Sequence, residues 1–464
     1  MRDRELSPGG TTPRTPRGMP DGAANISGMR RRLFPLIASA LLMAIGMITT
    51  TVGPTMIGRS EWALPYDYWG TLTAAVRLAH LNIGGLYTQP TGLVSLPGAA
   101  VILLPVAAII AAAGMSLRIP GPHNLHPAVW VLAGPYQIAI ACVPLFAADA
   151  LAERLGVSRG RRALLSAAGA VALWNVSCRW GHPEDAVATG LLMYAVLALS
   201  RGRVSRAAWL AGAAVCVQPL ALLAVPVLAA VLPWRRMPWF LTRAALPSVV
   251  LLGAALIANW HATWAAVTSQ PDSPVINHPT LWTPLAPHMS GGNVAAGPFR
   301  LAAIVVACCF ALAIRRRWRG ARDLEPPFAI RPWPAELLAD VLWWSAFALA
   351  LRSFFEPVMV SYYPWPVLAV ALVPAALRWR RLIWASVVAA AITGAAQGTS
   401  HNAWLWWVPI VAGLAVLLAF ARDWQRRPGG ATRPSGLGPI LPEAPLAAID
   451  HGRKRVGQKR ASRS

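Results

Sequence analysis

Apolar runs recur along almost the whole of this chain. They lie near 33–53, 129–150, 163–178, 185–200, 207–217, 219–232, 239–259, 299–314, 336–354, 358–377, 382–399 and 404–421. A run of roughly 18–25 apolar residues is long enough to cross a bilayer as a helix. Composition agrees: 56% of the residues are hydrophobic and 13% are charged, where a soluble domain carries about 25% charged residues. The expected fold is all-α, a polytopic integral membrane protein of about 12 transmembrane helices with both termini cytoplasmic. The first run follows a long polar arm and is too long for a signal-peptide core.

Three parts follow. Residues 1–32 and 422–464 read as disordered basic cytoplasmic tails, rich in Pro, Gly, Ser, Thr and Arg. Residues 33–421 form the membrane domain, with outer loops at about 54–128, 179–185 and 260–298. A further apolar stretch, 93–113, is placed on or partly in the outer leaflet. If it crosses fully, 207–232 must become one span. Arginine separates the two arrangements. In the first, all basic residues but Arg59, Arg77, Arg118, Arg179, Arg300 and Arg352 fall on the cytoplasmic side, as the positive-inside rule requires. The same rule accounts for the net charge of +24 without nucleic acid, because the arginines cluster between apolar runs. Lysine occurs only at Lys454 and Lys459, which fits a GC-rich genome and so a bacterial cell membrane.

The five cysteines, Cys142, Cys178, Cys216, Cys308 and Cys309, lie inside apolar runs without metal or disulfide spacing and read as small core residues. Many of the 22 tryptophans stand at run ends, as interface anchors do. There is no Walker A, GxGxxG or GxSxG motif. Asp149 and Asp340 lie close to cytoplasmic ends, where solvation accounts for them. Gln218-Pro219 interrupts the run 207–232 and is expected to divide it into two short helices.

Eight of the nine histidines (all but His451) and six acids, Glu61, Asp67, Glu184, Asp185, Asp272 and Glu356, gather on the outer side, which marks a functional face. Asp67 stands in ALPYDYWG, just past the first run, and opens a helical stretch around 67–84. A carboxylate so near lipid costs free energy without water or a partner; the alternative is a plain interfacial loop acid. Arg179-Trp180-Gly181-His182-Pro183-Glu184-Asp185 begins a span. Its acids could serve as a second acidic site, orienting an acceptor, a histidine or a divalent metal. They could equally be a helix N-terminal pair stabilised by the dipole. In the loop 260–298, His278 and His288 could contact phosphate or carry a proton, against the plainer reading as solvated loop histidines. No HExxH spacing occurs there. Arg352, near the outer end of a span, needs an anionic partner. That partner is a phosphate or Glu356 one helical turn on. Tyr362 and Tyr363 read as belt or packing residues.

The order Asp67, an amphipathic helix, Gly84-Gly85-Leu86-Tyr87 and then Leu96-Pro97-Gly98 opening an apolar run resembles the first outer loop of GT-C-fold glycosyltransferases. The nearest likeness is to the polyprenyl-phosphate-mannose-dependent bacterial mannosyltransferases. Leu96-Pro97-Gly98 departs from their usual Tyr-Pro-Pro, and His182 from their Gly-Gln turn. The resemblance implies a hexose, mannose by preference, moved from a polyprenyl-phosphate sugar donor to a glycolipid, glycan or protein hydroxyl on the extracytoplasmic face. Asp67 would be the catalytic base, since attack by a hydroxyl requires a proton acceptor. His182, Glu184, Asp185, His278 and Arg352 would bind substrate. No cofactor is firmly implied, and a divalent metal remains an open option. The rival readings are a lipid or polysaccharide transporter, or a non-catalytic membrane scaffold. Against the transporter, no clear internal repeat is seen and the ionisable residues crowd one face.

Overall fold

The computed structural model describes residues 32–57, 66–88, 93, 95–117, 129–320, 333–398, 400 and 402–422. The expected tails, apart from Arg32 and Arg422, lie outside the described residues, as do Arg59, Glu61 and Arg118. Helices dominate. In chain order they are α1 (Leu33–Ile57), α2 (Tyr66–Ala79), α3 (Gly98–Ala112), α4 (Trp130–Ala141), α5 (Val143–Arg154), α6 (Arg159–Trp174), α7 (Pro183–Ser200) and α8 (Val204–Val217). There follow α9 (Val225–Ala230), α10 (Met237–Ala258), α11 (Trp260–Ser269), α12 (Gly297–Gly320), α13 (Ala335–Phe355), α14 (Trp365–Ala375), α15 (Trp379–Ala395) and α16 (Trp407–Ala421).

Among the described residues, four segments are long and apolar enough to cross a membrane: Trp130–Arg154, Trp234–Ala258, Gly297–Arg316 and Ala335–Phe355. Shorter apolar helices accompany them, among them α3, α8, α14 and α16. Only 17% of the second segment and 22% of the third is buried by the rest of the chain, against 56% and 61% for the first and fourth. Helices α10 and α12 are therefore peripheral, with apolar faces uncovered by protein. Nearly all of α7 and every residue of α14 are buried, and a helix apolar all round belongs in an interior.

Helix α7 packs on α8 and α5, and α13 on α14. The close approach of α8 to α10 depends on Gly212, where a Cβ would stand 2.5 Å from the Ala244 carbonyl oxygen. Helix α8 ends as expected at Gln218-Pro219. Gln218 is extended (φ −145°, ψ 115°) and Pro219 opens a 3-10 turn, Pro219–Ala224, that leads into α9. Proline supplies no N–H to continue the helix and clashes with the preceding turn.

A second core cluster joins α2, α3 and the start of α4 through Tyr68, Leu72, Leu103, Ile110 and Trp130. Tyr68 meets Trp130 edge-on at 6.4 Å and donates a 3.0 Å hydrogen bond to the Ala133 carbonyl. The segment after α11 folds back through β1 (Pro271–Asp272), β2 (His278–Pro279) and β3 (Val294–Ala295). Strand β1 pairs with β3, and β2 with β4 (Val358–Met359) just past α13, both antiparallel.

Two expectations need correction. Asp149 is not solvated: it is fully buried and accepts hydrogen bonds from Arg162 Nε and Nη2, both 2.7 Å, and from Arg32 Nη1 at 2.5 Å. It ties α5 to α6 and to the start of α1, because a buried carboxylate must be paired. Asp340 likewise accepts from Trp318 Nε1 at 2.8 Å. Cys308 and Cys309 are exposed rather than core residues, whereas Cys142, Cys178 and Cys216 are buried. The peripheral position of α12 explains the difference.

Candidate functional site

Helix α6 does not end in a simple turn. It widens into a π-helical stretch, Asn175–Arg179, a geometry that concentrates at functional sites. Gln137 Nε2 donates to the Ser177 carbonyl at 2.7 Å, and Asn175 Nδ2 to the Thr393 carbonyl at 2.9 Å. Gly181, with φ +65°, reverses the chain in a conformation that other residues rarely adopt. The His182 N–H then closes on the Val176 carbonyl at 2.7 Å. Pro183 occupies the first turn of α7 with Glu184 and Asp185, so the dipole-stabilised acid pair is present.

Burial makes that pair more than a helix start. His182, Glu184 and Asp185 are only 4%, 4% and 2% exposed. With the imidazole proton on Nδ1, His182 donates to Glu184 Oε1 over 2.8 Å. Its ring stacks on Tyr362 with centroids 3.9 Å apart. Gln218, at the break after α8, donates to Asp185 Oδ1 at 2.9 Å. Arg352, at the end of α13, stands within electrostatic reach of Asp185 and lies over the Tyr363 ring at 3.7 Å. Tyr362 and Tyr363 thus wall the site rather than belt the membrane.

Three polar atoms of the group are buried without a hydrogen-bond partner among the described residues: Glu184 Oε2, Asp185 Oδ2 and Arg352 Nη1. Such atoms are costly in an interior and ask for an explanation. One ligand atom from each of His182, Glu184 and Asp185 falls within 4.8 Å of the others. Two carboxylates and an imidazole form a donor set that suits a divalent ion, and the two unpartnered oxygens add acceptors to it.

A second ionic group adjoins the first. Arg352 Nε is 3.5 Å from Glu356 Oε2, the ion pair one turn on. Arg300, from α12, donates through Nε to Glu356 Oε1 at 2.8 Å and through Nη1 to Gln270 Oε1 at 2.8 Å. Its Nη2 reaches Glu356 Oε1 and also Asp272 Oδ2, the latter at 2.9 Å. Burial pushes the Asp272 carboxyl up to about 6, with Arg300 opposing and Glu356 adding to the rise. The Thr280 hydroxyl donates to the Glu356 carbonyl at 2.9 Å, and Trp282 Nε1 to the Phe354 carbonyl at 2.5 Å. The loop after α11 is thereby fastened to the end of α13.

The residues singled out from the sequence fall into three places. His182, Glu184, Asp185 and Arg352 come together. His278 does not join them: its ring stacks on Trp406 at 3.7 Å, and its Nδ1 donates to the Ser400 carbonyl at 2.8 Å. Asp67 lies in the first turn of α2, and its side chain is outside the described residues. Its neighbour Tyr68 is buried, and burial first, then the nearby Glu184 carboxylate, raises its hydroxyl above the ordinary tyrosine range. The Tyr68 hydroxyl therefore lies within electrostatic range of Glu184.

Sequence reasoning missed Gln218 as a polar partner and Arg300 with Asp272 as a clamp. A polar residue in the middle of an apolar run was the available signal for Gln218. No family model matches the chain, and no curated protein matches its sequence.

Proposed function

We propose that this protein is a multi-pass bacterial membrane glycosyltransferase of GT-C-like architecture, with about twelve crossings and both termini cytoplasmic. It moves a hexose, mannose by preference, from a polyprenyl-phosphate donor to a hydroxyl of a glycolipid, glycan or protein outside the cytoplasm. The observation that carries this reading is the buried group His182–Glu184–Asp185–Arg352 with its three unpartnered polar atoms, within electrostatic range of Tyr68, the residue after Asp67 in α2. Both partners of the reaction, the donor phosphate and the acceptor hydroxyl, are provided for. A guanidinium suits a phosphate, and a carboxylate suits a hydroxyl proton.

Asp67 takes the acceptor proton as the glycosidic bond forms, and Arg352 holds the departing phosphate. A single displacement inverts the anomeric centre. Gln218 and the His182–Glu184 bond keep the acids of α7 in place. A divalent ion held by His182, Glu184 and Asp185 would supply further positive charge toward the phosphate.

The test is transfer from labelled polyprenyl-phosphate-mannose in membranes that contain Asp67→Asn. A fall of about 10²–10⁴-fold is expected for loss of a general base. Undiminished transfer removes Asp67 from that role.

One observation favours a second reading. The broken helix α8–Gln218–α9 touches the ionisable residue Asp185, and interrupted helices beside buried charge are the architecture of transport sites. Wild-type protein that transfers no lipid-linked sugar, yet moves one across reconstituted vesicles, would be a transporter.

A further inference from the structure

At the end of the molecule where α8 and α10 begin, the turn after α7 and the 3-10 turn Trp234–Arg236 border an open, solvent-facing cavity of about 800 Å³. Arg203, Arg206, Arg235 and Arg236 line it, with Trp209 and Trp239 at its walls, and among the described residues no acid does. Arg203, Arg206 and Arg235 are exposed and Arg236 is half-buried, and among the described residues none of these four guanidinium groups has an ion pair or a side-chain hydrogen bond, so all four are open to a ligand. One wall is stiffened by Arg243, which lies 3.8 Å over the Trp239 ring and donates to the Ser205 hydroxyl at 2.9 Å. We propose that this cavity binds the phosphate-bearing headgroup of an anionic phospholipid.

The positive-inside rule explains why arginines collect at this end of the helices. It does not explain four of them around one hollow that is larger than a phosphate needs. Basic pockets between membrane helices are the form that anionic lipid headgroup sites take. The acyl chains also have a surface to lie on. From the mouth of the cavity, α10 presents Trp239, Leu246, Val249 and Val250, which are 40–63% exposed. At about 1.5 Å per residue, Trp239 to Val250 spans about 16 Å, close to half of the ~30 Å hydrocarbon core. A lipid seated here has its phosphate among the arginines and its chains along α10 in the same leaflet. The proposal needs α10 to cross a bilayer and is independent of the glycosyl-transfer reading.

The full-length protein, purified in a mild neutral detergent, is given equal amounts of phosphatidylglycerol and phosphatidylcholine with identical acyl chains. Retained lipid is then counted by native mass spectrometry. Wild type is expected to retain phosphatidylglycerol in preference. Arg206→Gln with Arg235→Gln, two exposed positions, lowers that retention roughly fivefold per arginine removed. Arg378→Gln with Arg380→Gln, at the start of α15 and outside the lining of the cavity, leaves it unchanged. Melting temperature and gel-filtration volume show that each variant is folded.

Equal retention of the two lipids overturns the proposal. So does an equal loss in both double variants, which would mean only diffuse charge. Inorganic phosphate that displaces phosphatidylglycerol at micromolar concentration would make the ligand a soluble phosphate instead. Binding of phosphatidylglycerol only after deletion of 321–332, which carries Asp323 and Glu325, would make that segment the occupant and likewise refute the lipid.

Discussion

Replacing Arg300 by Met tests whether the outer loop is held by one cation. Arg300 serves three acceptors at once: Glu356, Asp272 and Gln270. Glu356 is 1% exposed, and its remaining cation, Arg352, stands off at 3.5 Å. Removing one partner of a buried ion pair costs about 3–5 kcal/mol, because the other charge stays buried and uncompensated. Arg300 is itself 30% exposed, and Arg352 compensates in part, so the expected loss is nearer about 2–3 kcal/mol at pH 8.

The loss should also depend on pH. Without Arg300 only the weaker pull of Arg352 opposes the burial that raises the Asp272 carboxyl, so protonation becomes easier and relieves the uncompensated charge. The variant should therefore recover part of its deficit at pH 5. Denaturation of the purified protein in detergent, followed at both pH values with protease cleavage within 260–298, reads both effects. A deficit below about 0.5 kcal/mol, in the range of an ordinary surface change, would refute the clamp. A deficit of equal size at pH 5 and pH 8 would refute its ionic basis.

In wild type, burial raises the Asp272 carboxyl in the folded protein to about 6 from its ordinary 3.8. Its contribution to stability is complete below the lower value and is lost as pH rises through the upper one. Asp272→Asn should match wild type near pH 4 and exceed it by about 3 kcal/mol above pH 7, measured by thermal denaturation across pH. Gly212→Val should cost about 1–3 kcal/mol by overpacking against the Ala244 carbonyl, 2.5 Å from the new Cβ, seen as a lower melting temperature. Tyr68→Phe removes one buried hydrogen bond to the Ala133 carbonyl and should cost about 1 kcal/mol in the same assay. Glu184→Gln should leave the fold intact but reduce transfer from labelled polyprenyl-phosphate-mannose, and unchanged transfer would take Glu184 out of the site.

What the sequence made legible follows from how local each cause is. The apolar runs, the break at Gln218-Pro219 and the acids in the first turn of α7 each rest on a few adjacent residues, and the structure contains all three. The i,i+4 pair of Arg352 and Glu356 is of the same kind. Contacts between distant segments had no such signature. Arg300 and Glu356 are 56 positions apart, and Gln218 and Asp185 are 33 apart; nothing in either neighbourhood names the other. The same blindness explains the error at Asp149, whose partner Arg32 is 117 positions away.

For the candidate site the consequence is specific. Sequence reasoning found the groups with evident chemistry, His182, Glu184, Asp185 and Arg352, one at a time. It had no means of showing that they share one buried volume, or that His278 is engaged elsewhere by Trp406 and Ser400. Buried charge is tolerated only when it is paired. The positioning partners that sequence overlooked, Gln218 and Arg300, are therefore the ones the structure was bound to supply.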